Sequence, residues 1–423
     1  MTDFRFVHAA DLHLDSPFKG IQGAAPERVA QILRDATFEV YDAIIDLCIR
    51  ERVDALLVAG DIYDGADRSL RAQRKFVAGL NRLHESGVRS FVCHGNHDPL
   101  DGWEAGLAMP ESCHRFGPQV ESVPIDPADP ARGRVYGMSY PRQVVKENVA
   151  KRFRRDQDQP GGIAVGLLHC NVGSDTGHEP YAPCTLQDLA AAGMDYWALG
   201  HVHTAQVLRT ESPAIVYPGN PQGRHSNETG PRGVYLVSIS DSVPPTTDFC
   251  AVDVVRWANL SVQIEGLGGI EDLLDRIVSE VSEALDAAEG RHLVYRLAIS
   301  GQGELHHDLQ RPGVLEEIRS DRNEVIASPF AWCGRIEDLT RPAFDRQQAL
   351  GAGDFLSEVL AIVDGARGNP LAQSELAKGL DGFYAHDRAR KYLKDELPTG
   401  GEFEQLLTEA ETLIAEYLLG DLA

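Results

Sequence analysis

Ala55-Leu56-Leu57-Val58-Ala59-Gly60-Asp61-Ile62-Tyr63-Asp64 joins an apolar run of strand length to a turn that carries two carboxylates. An unbroken apolar run without alternation is the mark of a strand covered on both faces. Four other runs end in the same unusual way. Phe6 to Ala10 closes in Asp11-Leu12-His13, Phe91 to Cys93 in His94-Gly95-Asn96-His97-Asp98, Ala164 to Leu168 in His169-Cys170-Asn171, and Tyr196 to Leu199 in Gly200-His201-Val202-His203. Helical spacing separates the first three runs, at Val29, Ile32, Leu33 and Ala36 and again at Phe76, Val77 and Leu80. Strands alternating with helices predict an α/β sheet buried on both faces. Ligands of such sheets sit beyond the carboxyl ends of the strands, so the five clusters are expected to share one site.

Asp, His and Asn side chains without thiolates suit Mn²⁺, Fe²⁺ or Zn²⁺. Seven candidate ligands among these clusters are too many for a single ion. Two ions about 3.5–4 Å apart would use them all and form an apparatus for in-line attack on phosphorus.

The chain has 423 residues, enough for two or three domains, with 43% hydrophobic and 25% charged residues. That balance excludes disorder or a fibrous structure for the whole. Acidic residues outnumber basic ones by 64 to 40, a net charge of −24, so nucleic-acid binding would need a local basic surface. One stretch supplies it: from Ala131 to Arg155 the eight basic residues Arg132, Arg134, Arg142, Lys146, Lys151, Arg152, Arg154 and Arg155 face one acid, Glu147. Arg68, Arg71, Arg74 and Lys75 follow the second cluster. The seven cysteines are scattered and form no CxxC pair, which argues against a disulfide framework or a cysteine zinc site. The N-terminus lacks the pattern of a secretory signal and no window has the length of a membrane span, so a cytoplasmic location is expected. No Gly-x-x-x-x-Gly-Lys-Ser/Thr loop is present, so the chain is not expected to hydrolyse ATP itself.

Gly233 to Ile239 reads as a last core strand, and Asp241-Ser242-Val243-Pro244-Pro245 as a linker. Beyond it, strand and helix patterns to about Thr340 suggest a small α+β unit, followed by helical sequence. The expected domains are 1–245, 246–340 and 341–423. In the last, Phe403, Leu406, Leu407, Leu413, Ile414, Tyr417 and Leu418 form an apolar stripe within a helix from Glu402 to Leu419.

Asp11-Leu12-His13, Gly60-Asp61-Ile62-Tyr63-Asp64, Gly95-Asn96-His97-Asp98, His169 and Gly200-His201-Val202-His203 resemble, in order and spacing, the five motifs of the calcineurin-like metallophosphoesterases. Within that superfamily, His8-Ala9-Ala10-Asp11-Leu12-His13-Leu14-Asp15-Ser16-Pro17-Phe18, His178-Glu179-Pro180-Tyr181-Ala182-Pro183 and Tyr217-Pro218-Gly219-Asn220-Pro221-Gln222-Gly223-Arg224-His225 are similar to the SbcD and YhaO-type DNA repair exonucleases. The resemblance implies a four-layer α/β/β/α sandwich with a smaller α+β capping domain and a helical C-terminal tail. It implies two metal ions, foremost Mn²⁺, with Asp11, His13 and His203 on one, Asn96, His169 and His201 on the other, and Asp61 between them. His97 would act on the leaving oxygen, oriented by Asp98, and Arg68, Arg71, Arg152, Arg155, Arg224 and His225 would contact substrate. The activity implied is hydrolysis of DNA in repair, with a SbcC/Rad50-like or YhaN-like coiled-coil ATPase as partner, docked on the helix from Glu402, and a homodimer left open. A small-molecule phosphoesterase and a catalytically idle scaffold are the competing readings.

Overall fold

The computed structural model describes residues 3–19, 25–65, 69–156, 161–173, 181–240, 243–324, 327–343, 346–380 and 401–420. Arg68 and the stretch His178 to Pro180 lie outside these residues.

The strands form the two stacked sheets of the four-layer sandwich that the resemblance implies, where periodicity alone suggests one. They divide between two six-stranded sheets. The first contains β1 (Asp3–Ala9), β2 (Ala55–Ala59), β3 (Arg89–Cys93), β4 (Cys113–Arg115), β11 (Gly233–Ser240) and β12 (Val243–Ala251), in the order β12-β11-β1-β2-β3-β4. The second contains β5 (Glu121–Pro124), β6 (Gly133–Gly137), β7 (Ile163–His169), β8 (Tyr196–Gly200), β9 (Gln206–Arg209) and β10 (Ala214–Tyr217), in the order β5-β6-β7-β8-β10-β9. β1, β2, β3 and β4 run parallel, as do β6, β7, β8 and β10.

Residue alternation explains why the sheets stack. On β2, Leu56 and Val58 pack under α1 (Glu27–Arg50) and α2 (Leu70–Glu85), whereas Ala55, Leu57 and Ala59 turn to the other sheet. Between the sheets they meet Val165, Leu167, Tyr196 and Ala198, while Trp197 and Leu199 face outward toward α3 (Leu186–Ala190). The result is helix, sheet, sheet, helix, each layer burying apolar faces on the next. Burying a single Leu or Phe this way is worth about 1.5–3 kcal/mol, so no one contact decides the stack.

Val243 to Ala251, the first part of which reads as a linker, is an edge strand paired antiparallel with β11. Pro244 and Pro245 sit where the register shifts between Ser238 and Ser240, the edge position in which a missing N–H costs least. Further along come β13 (Val255–Gln263), α4 (Ile270–Ala287), β14 (His292–Gln302), α5 (Leu305–Leu309), α6 (Val314–Glu324) and β15 (Ala331–Arg341), with the three strands in one sheet.

The chain clusters into two compact units, Met1–Asn259 with Val281–Arg296 and Asn323–Arg335, and Leu260–Glu280 with Leu297–Arg322 and Ile336–Ala423. In the second unit α7 (Arg346–Gly351) and α8 (Phe355–Ala366) precede α9 (Pro370–Lys378) and α10 (Gly401–Gly420). The stripe of α10 is divided: Phe403 and Leu407 are buried against Val363 and Ala366, and Ala415 against Leu356 and Leu360. Leu413 and Tyr417 remain exposed. Glu411, buried, ties the helices together by bonding Arg346 and Arg367. Among the described residues no helix is long and apolar enough to cross a membrane.

His8, on β1, faces the gap between the sheets, where it bonds the Tyr196 hydroxyl at 3.0 Å and the Leu199 carbonyl at 3.1 Å. Burial lowers its pKa from 6.5 to about 3, so the folded protein holds it neutral. The unfolded chain binds a proton there that the folded one refuses, and stability therefore falls as pH drops from 6.5 toward about 3. His8→Gln should flatten the decline by as much as about 1.4 kcal/mol per pH unit in that window, read from urea unfolding at stepped pH.

Candidate dinuclear metal centre

The five strand ends converge from both sheets. Asp11, Asp61 and Asn96 follow β1, β2 and β3, and His169, His201 and His203 come from the ends of β7 and β8. Past their strands, the first two loops stay side by side: Asp11 N donates to the Gly60 carbonyl, His13 N to the Asp61 carbonyl and Leu14 N to the Ile62 carbonyl, all within 3.0 Å. This ladder fixes the spacing of the carboxylates and His13 before any ligand arrives.

Asp11, His13, Asp61 and His201 all take positive φ, at 51°, 42°, 51° and 103°. Such conformations cost non-glycine residues on the order of 1–3 kcal/mol each and persist where surrounding bonds impose them. The bonds are visible: His201 N donates to both Asp11 oxygens at 3.1 Å, and Asp61 Oδ1 accepts from His97 N at 2.9 Å.

Asp11, His13 and His203 bring their ligand atoms within 4.8 Å of one another, and so do Asp11, Asp61 and His169. Asp61 Oδ2 lies 3.4 Å from His169 Nε2 and 4.0 Å from His13 Nε2, between the two groups. Asn96 Oδ1 is 3.0 Å from His169 Nε2, and the His201 ring stands edge-on to His169 with centroids 5.2 Å apart. All seven sequence-predicted ligands are thus brought together.

The imidazoles are held by their Nδ1 atoms. His169 Nδ1 bonds the Ala59 carbonyl at 2.9 Å, His13 Nδ1 the Asp64 carboxylate at 2.8 Å, and His203 Nδ1 the Glu228 carboxylate at 2.7 Å. With each Nδ1–H donating, each Nε2 is the atom left to face the site. Those of His13 and His203 face each other at 3.3 Å, and that of His169 faces two oxygens. Carboxylate oxygens and imidazole nitrogens converging on one space, with each Nδ1 tied back to the protein, are the arrangement a cation holds. The donor set of carboxylate, imidazole and amide oxygen fits a divalent transition metal.

Electrostatics agree. Burial, helped by the nearby Arg224 charge, lowers His13 to about 4 and keeps it neutral. Burial opposes ionisation of Asp61, but the charge and hydrogen bond of His169 outweigh it and hold the carboxyl below the usual range; burial likewise opposes a charge on His169, yet Asp61 and Asp11 raise it to about 9. Glu228 is likewise held well below the carboxylate range: burial works against it, and the His203 bond and charge prevail.

Asp64 and Glu228 escape sequence reasoning. Asp64 also accepts from Ser16 Oγ and pairs with His97 Nδ1 at 2.8 Å and with Arg224 at 3.4 Å. Its only sequence signal is a second carboxylate three residues after Asp61. Asp98, expected to orient His97, instead bonds Ile62 N, Gly95 N and the His94 ring, bracing the third loop because its carboxyl points back into the strand ends. Asp64 takes the position beside His97.

Of the other expected substrate contacts, Arg224 and His225 reach the centre, His225 through Glu228 at 3.2 Å. Arg71 is stacked 4.4 Å over Phe38 and paired with Asp15 and Asp35. Arg155 is tied to Asp195 and the Gly193 carbonyl at the opening ends of β7 and β8, opposite the clusters, so that contact is corrected. Arg152 pairs with Glu147.

Because Glu228 orients His203, Glu228→Gln should weaken Mn²⁺ binding about 10- to 100-fold while far-ultraviolet circular dichroism stays the same, as titration calorimetry would show.

Residues 4–205 match the family model for calcineurin-like phosphoesterases, and residues 257–341 match the middle domain of the metallophosphoesterase YhaO. The chain is 38% identical over 399 residues to the metallophosphoesterase YhaO of Bacillus subtilis, covering 93% of each. It is 24% identical to the SbcD subunit of the nuclease SbcCD of the same bacterium, over 81% of this chain and 93% of that one. It is 26% identical to the DNA double-strand break repair protein Mre11 of Aeropyrum pernix, over 51% of this chain and 53% of that one. A full-length relative at 38% identity, together with convergent acceptors at the strand ends of two stacked sheets, leads to one conclusion: this chain belongs to the calcineurin-like metallophosphoesterase family.

Proposed function

We propose that the chain is a two-metal phosphodiesterase that hydrolyses DNA in an exonuclease-type reaction, in DNA repair, with Mn²⁺ as its metal. The observation that carries the chemistry is the 3.3 Å approach of His13 Nε2 to His203 Nε2, with both Nδ1 atoms anchored on carboxylates. In this reading Asp11, His13 and His203 hold one ion, Asn96, His169 and His201 the other, and Asp61 lies between. Bound there, the ions would supply positive charge to the phosphoryl oxygens and a more acidic water.

The chain's own residues do the rest. His97 is half-exposed, so substrate can reach it, and Asp64 holds its Nδ1 and leaves Nε2 to give a proton to the departing oxygen. The Arg224 side chain is only 11% exposed beside Asp64, and its Nε has no partner among the described residues. A guanidinium so placed has donors to spare for a phosphate oxygen. The SbcCD and Mre11 relatives, a nuclease and a double-strand break repair protein, support DNA as substrate, and the place of SbcD as one component of SbcCD supports a partner. We take that partner to be a coiled-coil ATPase that meets the exposed Leu413 and Tyr417 of α10.

End-labelled single- and double-stranded DNA and bis-p-nitrophenyl phosphate, each with Mn²⁺ or EDTA, test the activity. Hydrolysis of both substrates, abolished by EDTA, is expected, and cleavage of the small diester alone would refute the DNA reading. His97→Ala should retain two ions by metal analysis yet lose roughly 10²–10⁴-fold in kcat. Loss of metal would make His97 a ligand.

The Leu413→Glu, Tyr417→Ala double variant should lose capture of a YhaN- or SbcC-like ATPase at an unchanged melting temperature, since neither side chain is buried. Undiminished capture would move the docking site elsewhere.

A further inference from the structure

The basic stretch between Ala131 and Arg155 is largely consumed by the fold. Arg132 pairs with Asp54, Arg134 bonds Ser122, Arg154 bonds the Phe153 carbonyl, Arg155 pairs with Asp195, and Lys151 lies 3.8 Å from Asp188. Arg142 and Lys146 are different. Both are exposed, and neither pairs with an acid among the described residues. They stand on the wall of a cavity of about 670 Å³, with Arg152 beside them and Met138, Val145 and Val149 among its apolar lining.

The wall of the cavity is tied to the loops of the candidate centre. Tyr140, two residues before Arg142, donates its backbone N–H to the His94 carbonyl and accepts from Leu100 N, so the loop after β6 is fastened to the loop that carries Asn96 and His97. The Tyr140 ring stands edge-on to His169 with centroids 5.6 Å apart. On its other side, Val145 accepts from Ala182 N, in the segment that follows the fourth cluster.

Resting on the DNA reading above, we propose that this cavity is a nucleotide subsite for the strand beside the scissile bond, with a backbone phosphate on Arg142 and Lys146 and a base against the apolar lining. Charge complementarity selects the occupant: in a chain of net charge −24, two cations that pair with no acid among the described residues stand on a pocket of mixed polar and apolar walls, which suits a polyanion with flat apolar bases. Asp101 and Glu147 also border the cavity, Glu147 being engaged by Arg152, and they would disfavour a purely anionic ligand without bases.

The test compares wild type with the Arg142→Glu, Lys146→Glu double variant on bis-p-nitrophenyl phosphate, a dinucleotide and a single-stranded decanucleotide. Wild type is expected to gain in kcat/KM as the substrate lengthens. In the variant, the ratio of decanucleotide to small-diester kcat/KM should fall on the order of tenfold or more through KM, with a shallower salt dependence. Fluorescence anisotropy of a labelled decanucleotide in EDTA should weaken in parallel, which reads binding without turnover. Equal length dependence and equal anisotropy in variant and wild type, when wild type cleaves the decanucleotide, would overturn the subsite and leave the DNA reading standing. A wild type that cleaves the small diester and no oligonucleotide would overturn the DNA reading and the subsite with it.

Discussion

Everything at the metal centre depends on how closely β2 and β8 approach where their sheets face each other. At Gly200 a Cβ would overlap the Ala59 carbonyl oxygen, the atom that receives the Nδ1–H of His169. At Gly95 a Cβ would strike Asp61 Oδ1 and crowd the His169 ring at 2.9 Å. Hydrogen atoms at these positions let an imidazole from the second sheet reach the main chain of the first. The packing of the sandwich and the tautomer of His169 are therefore one constraint: whatever parts the sheets also loosens the ligand.

The candidate ligands were legible in the sequence because each follows an apolar run, and a strand end fixes where its next few residues go. His13 and His203 needed no knowledge of the fold to be suspected. Asp64 and Glu228 did. Glu228 lies in the loop after β10, and only the folding of that loop brings it to His203. The role the resemblance gives Asp98 beside His97 is not the one its carboxyl takes here, where the backbone N–H groups of Ile62 and Gly95 hold it.

The fold was legible in its periodicity and less so in its layering. Apolar runs mark buried strands but do not say which strands share a sheet, so one sheet and two facing sheets read alike. The strand from Val243 was obscured by Pro244 and Pro245, which signal a linker in the absence of a partner strand. The charge pattern needed a structure most. Of the basic residues between Ala131 and Arg155, most are bound into the scaffold, and only their pairing separates structural cations from available ones.

The left-handed backbone at Asp11, His13, Asp61 and His201 also bears on how such a protein changes over time. Glycine would relax all four positions, and a search for thermostability alone would be drawn to them first. Each gain there removes a candidate ligand, so a centre built on these residues competes with the stability of its own scaffold. Improvement compatible with function has to come from the layers behind it, where helices and sheets can be tightened without disturbing the loops.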